Sequence, residues 1–292
     1  MYPAEFAYLR PPDLDGLYTA LAQHGDGAKL IAGGQSLLPM MKLRLATPDV
    51  VVDIGGAREL RGQWRTEQGV RIGAATTYRE LQRSPRTLAL LPGLAGALEV
   101  IADQQVRARG TVGGALAHAD PTADLPAILL ALDASVDLHS RQAERRLALS
   151  DFITGVFATD LRDDEVLTAV EASEPPEGSG GAYTKFEQPA SHFALCGVAA
   201  VLTVEAGTVR RARVAMTGVT AMPSRLSNVE RALTGCRADP AALSESATVA
   251  SEGIEPLGDL HAPPEYRRHL LEVATRDAVR TAAARAGVRW SA

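Results

Sequence analysis

The chain has 292 residues, 46 % of them apolar and 22 % charged, with a formal net charge of -5. That length accommodates two domains at roughly 100–200 residues each, and the composition is that of a folded globular protein. The acidic balance, without a basic cluster, excludes the electrostatic footprint of a nucleic-acid-binding protein. Two cysteines, Cys196 and Cys236, are too few for a disulfide framework or an iron–sulfur cluster. No uncharged apolar run approaches the roughly 18 residues that a membrane span needs, so a cytoplasmic location is expected.

Residues 13–25, DLDGLYTALAQHG, place Leu14, Leu17 and Leu21 at helical spacing and stop at Gly25, which predicts a short helix. KLIA, 29–32, reads as a strand entering Gly33 and Gly34, followed by Gln35, Ser36 and another apolar run; DVVVDIG, 49–55, reads as a second strand, making an α/β unit. GVRIGAATTYREL, 69–81, predicts a strand and then a helix capped by Thr76 or Thr77, with Glu80 completing a capping box after Thr77. From Leu88 the pattern is helical, through LPGLAGALEVIAD. RGTVGGALAHADP then brings a second glycine pair, Gly113 and Gly114, an acidic loop and an apolar helix or strand pair.

DEVLTAVEA, 164–172, reads as a strand, and SEPPEGSGG, 173–181, has linker composition and marks the expected domain boundary. Beyond it lie β-type runs with a hairpin turn at Ala206 and Gly207, then helical stretches at 226–234, 240–252 and 264–286. The expected class is α+β, with a smaller antiparallel sheet and helices forming the second domain.

A glycine pair lets a ligand approach the main chain, and successive N–H groups form a concave nest for an anion. Gln35 and Ser36 add side-chain donors after the first pair, and Thr111 offers a hydroxyl before the second. Two such loops in one domain could clamp a pyrophosphate from both sides. A third pair, Gly55 and Gly56, lacks a neighbouring hydroxyl residue and reads as a plain turn. None of the three matches the G-x-G-x-x-G or P-loop pattern, so neither a Rossmann site nor a P-loop is expected. His118 and His192 have no second ligand at metal-binding spacing, so no metal is expected on this chain.

AGGQSLLPMMKLRLATPDVVVDIG and RARGTVGGALAHADPTADLPA resemble the two flavin-binding signatures of the medium subunit of the molybdenum hydroxylases, a family that includes the carbon monoxide dehydrogenase flavoprotein and the FAD domain of xanthine dehydrogenase. The resemblance runs essentially end to end, including the C-terminal part introduced by YTKF. It implies a two-part, PCMH-like FAD-binding domain over residues 1–175, split near 55, and a C-terminal α+β domain over 180–288. It further implies non-covalent FAD held by Ala32, Gly33, Gly34, Gln35 and Ser36 on one side and by Thr111, Gly113 and Gly114 on the other. Asp124 would accept hydrogen bonds from cofactor hydroxyls, and Ile101 and Leu161 would pack on the cofactor rings. Lys185 would place a cation near the flavin, and Phe193 an aromatic ring close to the isoalloxazine. The chain departs from the family pattern at Ala115, where asparagine is usual, and at Gln188 and His192, where an arginine and an acid are common.

The implied role is an FAD-binding electron-transfer subunit. Its partners would be a large molybdenum-cofactor subunit and a small iron–sulfur subunit, in a dimer of heterotrimers. Two rivals remain open on the residues alone: a self-contained FAD-dependent oxidase, and a non-redox nucleotide-binding module using the same loops.

Overall fold

The computed structural model describes residues 2–290, which form an α+β protein built on three main sheets. The first is a parallel sheet in the order β1-β3-β2, from β1 (Ala7–Leu9), β2 (Ala28–Ile31) and β3 (Val50–Asp53). Between β1 and β2 runs α1 (Leu14–His24). It starts where the Asp13 carboxylate accepts the Gly16 N–H at 2.8 Å, and it stops at Gly25, whose φ of +49° suits a residue without Cβ. Leu17, Ala20 and Leu21 on one face of α1 pack with Val50 and Val52 of the sheet. The apolar run after Ser36 is a short helix, α2 (Leu37–Lys42).

The second sheet is antiparallel, in the order β4-β5-β10-β6-β7. Its chain runs through β4 (Gln63–Arg65), β5 (Gly69–Gly73), α3 (Tyr78–Gln82), α4 (Pro85–Leu90), α5 (Leu94–Glu99), α6 (Gln104–Arg109), α7 (Val112–His118) and α8 (Asp124–Ala131). It continues through β6 (Ser135–His139), β7 (Glu144–Ala148), α9 (Leu149–Phe152), the small pair β8 (Ile153–Gly155) and β9 (Ala158–Thr159), and β10 (Val166–Ser173). β10 is the middle strand and is buried from Val166 to Ala172. One face of this sheet carries the main core, with Ile72, Val136, Leu138 and Val170 against α5, α7 and α8. The buried carboxylates of Asp137 and Glu171 are neutralised by Arg71 and Arg146.

The third sheet, β11 (Ser179–Glu187), β12 (Ala194–Glu205), β13 (Thr208–Thr217) and β14 (Ser224–Arg225), is an antiparallel meander. The β12–β13 turn is at Ala206 and Gly207, both left-handed at φ +47° and +74°, as a tight hairpin requires. α10 (Ser227–Leu233), α11 (Pro240–Ser246) and the long α12 (Pro264–Arg285) back this sheet around Val198, Leu202, Val214 and Leu271. Gly180 and Gly181 belong to β11 rather than to a linker: a Cβ on Gly180 would lie 2.2 Å from the Ala282 carbonyl of α12, and one on Gly181 2.3 Å from the Pro92 carbonyl. Small residues are what let β11 sit tightly between α12 and the α4–α5 connection. No helix among the described residues is long and apolar enough to cross a membrane.

Candidate functional site

The first glycine loop leaves the C-terminal end of β2 and enters α2, and its N–H groups are unsatisfied. None of the N–H groups of Gly33, Gly34, Gln35 and Ser36 donates to a protein acceptor among the described residues. Gly34 is left-handed at φ +73°, and Ser36 at the start of α2 caps no amide with its side chain. Consecutive free amides in a loop of this kind make an anion cradle.

The second loop is built differently. Thr111 N-caps α7, its hydroxyl oxygen accepting the Gly114 N–H at 3.1 Å. The Val112 and Gly113 amides are already donated to the carbonyls of Thr76 (3.0 Å) and Ala74 (2.8 Å). Gly113 is therefore a packing glycine: a Cβ there would lie 2.4 Å from that of Ala74. The clamp expected from both sides is thus asymmetric. The first loop has the free amides, while the second offers the Thr111 O–H and the bare surface of Gly114. The loops touch directly, since a Cβ on Gly33 would meet the Arg109 carbonyl oxygen at 2.1 Å and one on Gly114 would lie 3.7 Å from that of Ala32. The third pair behaves as a turn, a single 3-10 turn over Ile54–Gly56 capped by Asp53.

At the other end of α7, His118 stacks at a tilt on Phe157, ring centroids 5.0 Å apart, and burial holds its imidazole below the ordinary range. Asp124 opens α8 with only 7 % of its side chain exposed. One carboxylate oxygen accepts the Tyr183 hydroxyl at 2.7 Å and the other the Lys185 ammonium at 2.9 Å. Burial pushes this carboxyl up, and Lys185 and Tyr183 pull it back by stabilising the charged form.

Lys185 is not a free cation. Its side chain is 2 % exposed, and besides Asp124 its ammonium donates to the carbonyls of Val100 (2.9 Å) and His192 (2.7 Å), which uses its three N–H bonds. The His192 carbonyl reaches it because His192 is left-handed at φ +59°. The 188–193 loop folds on itself, the Gln188 side chain accepting the Ala190 and Ser191 amides and the His192 ring meeting Glu187 at 3.1 Å. Phe193, at the end of that loop, is 53 % exposed. Ile101 is buried in the main core and Leu161 half-buried against it. Tyr183 escaped the sequence reading, although it stands two residues before Lys185 on one strand and therefore shares its face.

The site thus joins a loop of consecutive undonated amides, set against the start of α7, to a buried Lys185–Asp124–Tyr183 cluster at the start of α8. No group of three or more His, Cys, Asp or Glu side chains among the described residues could hold a metal ion. Residues 4–172 match the family described as the FAD binding domain in molybdopterin dehydrogenase, and residues 181–282 match the CO dehydrogenase flavoprotein C-terminal domain. The chain is 34 % identical to the 6-hydroxypseudooxynicotine dehydrogenase complex subunit alpha of Paenarthrobacter nicotinovorans, over 93 % of this chain and 92 % of that one. It is 36 % identical to the carbon monoxide dehydrogenase medium chain of Hydrogenophaga pseudoflava, over 98 % and 99 %. The solved structure of quinoline 2-oxidoreductase from Pseudomonas putida 86 superposes with a TM-score of 0.93 at 31 % identity, covering 99 % of this chain and 100 % of its counterpart. The chain belongs to the family of FAD-binding flavoprotein subunits of the molybdopterin dehydrogenases, and it is an oxidoreductase component with FAD as its cofactor. The residues fit that group, because the unpaired amides at 33–36 are what a pyrophosphate needs and no acceptor among the described residues takes them.

Proposed function

We propose that this chain is the electron-transfer subunit of a molybdenum hydroxylase complex. It would take electrons from iron–sulfur clusters on a small partner, fed by a molybdenum cofactor on a large one, and pass them to an external acceptor. The proposed assembly is a dimer of heterotrimers in the cytoplasm, with an FAD-binding domain over 1–175 and a C-terminal domain over 180–288. The observation that carries the reading is the row of undonated amides at Gly33–Ser36 facing the start of α7.

When bound, FAD supplies the redox chemistry of the site. The amides of the first loop hold its pyrophosphate, with Ala32 and Gly114 giving close approach and Thr111 donating its free O–H. Asp124 retains acceptor capacity for a cofactor hydroxyl beyond its two protein bonds. Ile101, Leu161 and Phe193 supply apolar surface to the rings, while Lys185 fixes the loop that carries Phe193. No side chain here is assigned as a general acid or base.

The test is reconstitution of the purified chain with FAD. The expected result is a yellow protein that releases intact FAD, about one per chain, on denaturation, accepts electrons from a strong artificial reductant, and does not oxidise an organic substrate unaided. A protein that stays colourless overturns the reading, and substrate turnover by the single chain replaces it with a self-contained oxidase.

A further inference from the structure

Beside the glycine loops lies a cleft of about 360 Å³, most of whose lining the flavin site does not use. Of the residues assigned to the cofactor, only Ala32 and Thr111 line it, whereas Asp124, Lys185, Ile101 and Phe193 do not. Four arginines line it: Arg79 on α3 and Arg83 just past its end, Arg109 at the end of α6, and Arg61 before β4. Arg79, Arg83 and Arg109 form no ion pair among the described residues, and Arg61 has only Glu80, at 4.0 Å. Glu80 is the one carboxylate in the lining, and its other oxygen is held by the Thr77 amide (2.6 Å) and hydroxyl (2.8 Å) in the α3 capping box.

This concentration of positive charge stands in a chain whose net charge is -5. On the second sheet the same residue type is placed against carboxylates, as in Arg71 and Arg146 with Asp137. Arginines left unpaired around one cavity focus a positive potential into it. Guanidinium groups bind phosphate bidentately and are the usual choice for it. Four arginines less one glutamate leave three net positive charges in the lining, which is matched by two phosphate groups at about -1.5 to -2 each. The floor is small and aliphatic, with Ile54, Ala75 and Ala108, and no aromatic ring lines the cleft to stack a nucleobase.

We infer that this cleft is a second anion site, adjoining the flavin cradle, which takes a small metabolite carrying two phosphate groups on a short carbon skeleton. Arg79 and Arg83, on and just past α3, grip one phosphate, and Arg61 and Arg109 grip the other. Because the cleft shares Ala32 and Thr111 with the cradle, an occupant there bears on the loops that hold FAD.

The test is calorimetric titration of inorganic pyrophosphate into the FAD-loaded full chain at low salt, repeated at physiological salt. Saturable 1:1 binding is expected, weakening with salt and at least tenfold weaker in Arg79→Ala/Arg83→Ala, with the FAD content unchanged. Both arginines are exposed, so the double variant keeps the fold. Arg109→Gln, at the end of α6, is expected to weaken pyrophosphate as well. The absence of saturable binding, or equal binding by the double variant, overturns the second site. If pyrophosphate expels FAD, or the double variant loses FAD, the cleft belongs to the flavin compartment; that result overturns the second site while leaving the flavin reading standing.

Discussion

Lys185 shows how a residue's role changes once its partners are known. The resemblance alone makes it a cation that tunes the flavin, with Lys185→Met expected to shift the reduction potential at little cost to binding. In the structure its charge is balanced by Asp124 and its donors are spent on three protein acceptors. Removing the ammonium strands a buried carboxylate, and breaking a buried pair from one side costs about 3–5 kcal/mol. That is a large part of the roughly 5–15 kcal/mol by which domains are stable. Lys185→Met is therefore expected to lower the melting temperature by roughly 10 °C and to loosen the 188–193 loop. Lys185→Met/Asp124→Asn, which removes both charges, is expected to recover part of the loss. Thermal melts of wild type, single and double variants measure this; a single variant as stable as wild type, with a shifted flavin potential, would restore the tuning role.

At the scale of elements, α7 joins stability to binding through one side chain. Thr111 caps the helix by accepting the Gly114 N–H and leaves its own hydrogen free for the cofactor. Thr111→Val keeps the shape and removes both functions. Loss of the cap costs about 1 kcal/mol, so a slightly lower melting point with a several-fold weaker affinity for FAD is expected. Thr111→Ser is expected to retain both, and the FAD dissociation constants of the two variants decide between them. Elements whose cause is local were legible beforehand. The Gly25 stop of α1, the Thr77–Glu80 capping box and the Ala206–Gly207 turn each need only a few adjacent residues. Gly180 and Gly181 were misleading for the opposite reason: their role is set by α12 and by Pro92, which are distant in the chain. The same holds for the site. The glycine loops stand out as motifs, but the consumption of the Gly113 amide by Ala74, and the meeting of Asp124 with residues 59 and 61 positions later, depend on how β5, α8 and β11 come together.

Across the whole molecule, the second and third sheets are tied by Asp133, which follows α8 in a left-handed conformation at φ +46°. Its carboxylate accepts from Arg213 of β13 at 2.9 Å, from Arg225 of β14 at 2.7 Å and from Arg211. Arg225 is also held by Glu230, so one aspartate and one glutamate gather three guanidinium groups. Burial raises the Asp133 carboxyl, but the hydrogen bonds and charges of the arginines more than offset this, and the net shift is downward. A carboxylate whose folded pKa is depressed stabilises the fold above its unfolded value, about 3.9 for aspartate, and loses that contribution as pH falls through the folded value. Asp133→Asn keeps the shape, removes the charge and leaves the arginines facing one another. With 28 % of the side chain exposed, the expected loss at neutral pH lies between the roughly 1 kcal/mol of a surface pair and the roughly 3 kcal/mol of a buried one. Because protonation removes the same charge from the wild type, the gap between the two proteins should narrow as pH is lowered from 6 through the ordinary aspartate range. Parallel thermal melts over that range measure it. A gap that stays constant down to the lowest pH at which both remain folded would mean that the carboxylate's charge does not hold the two sheets together.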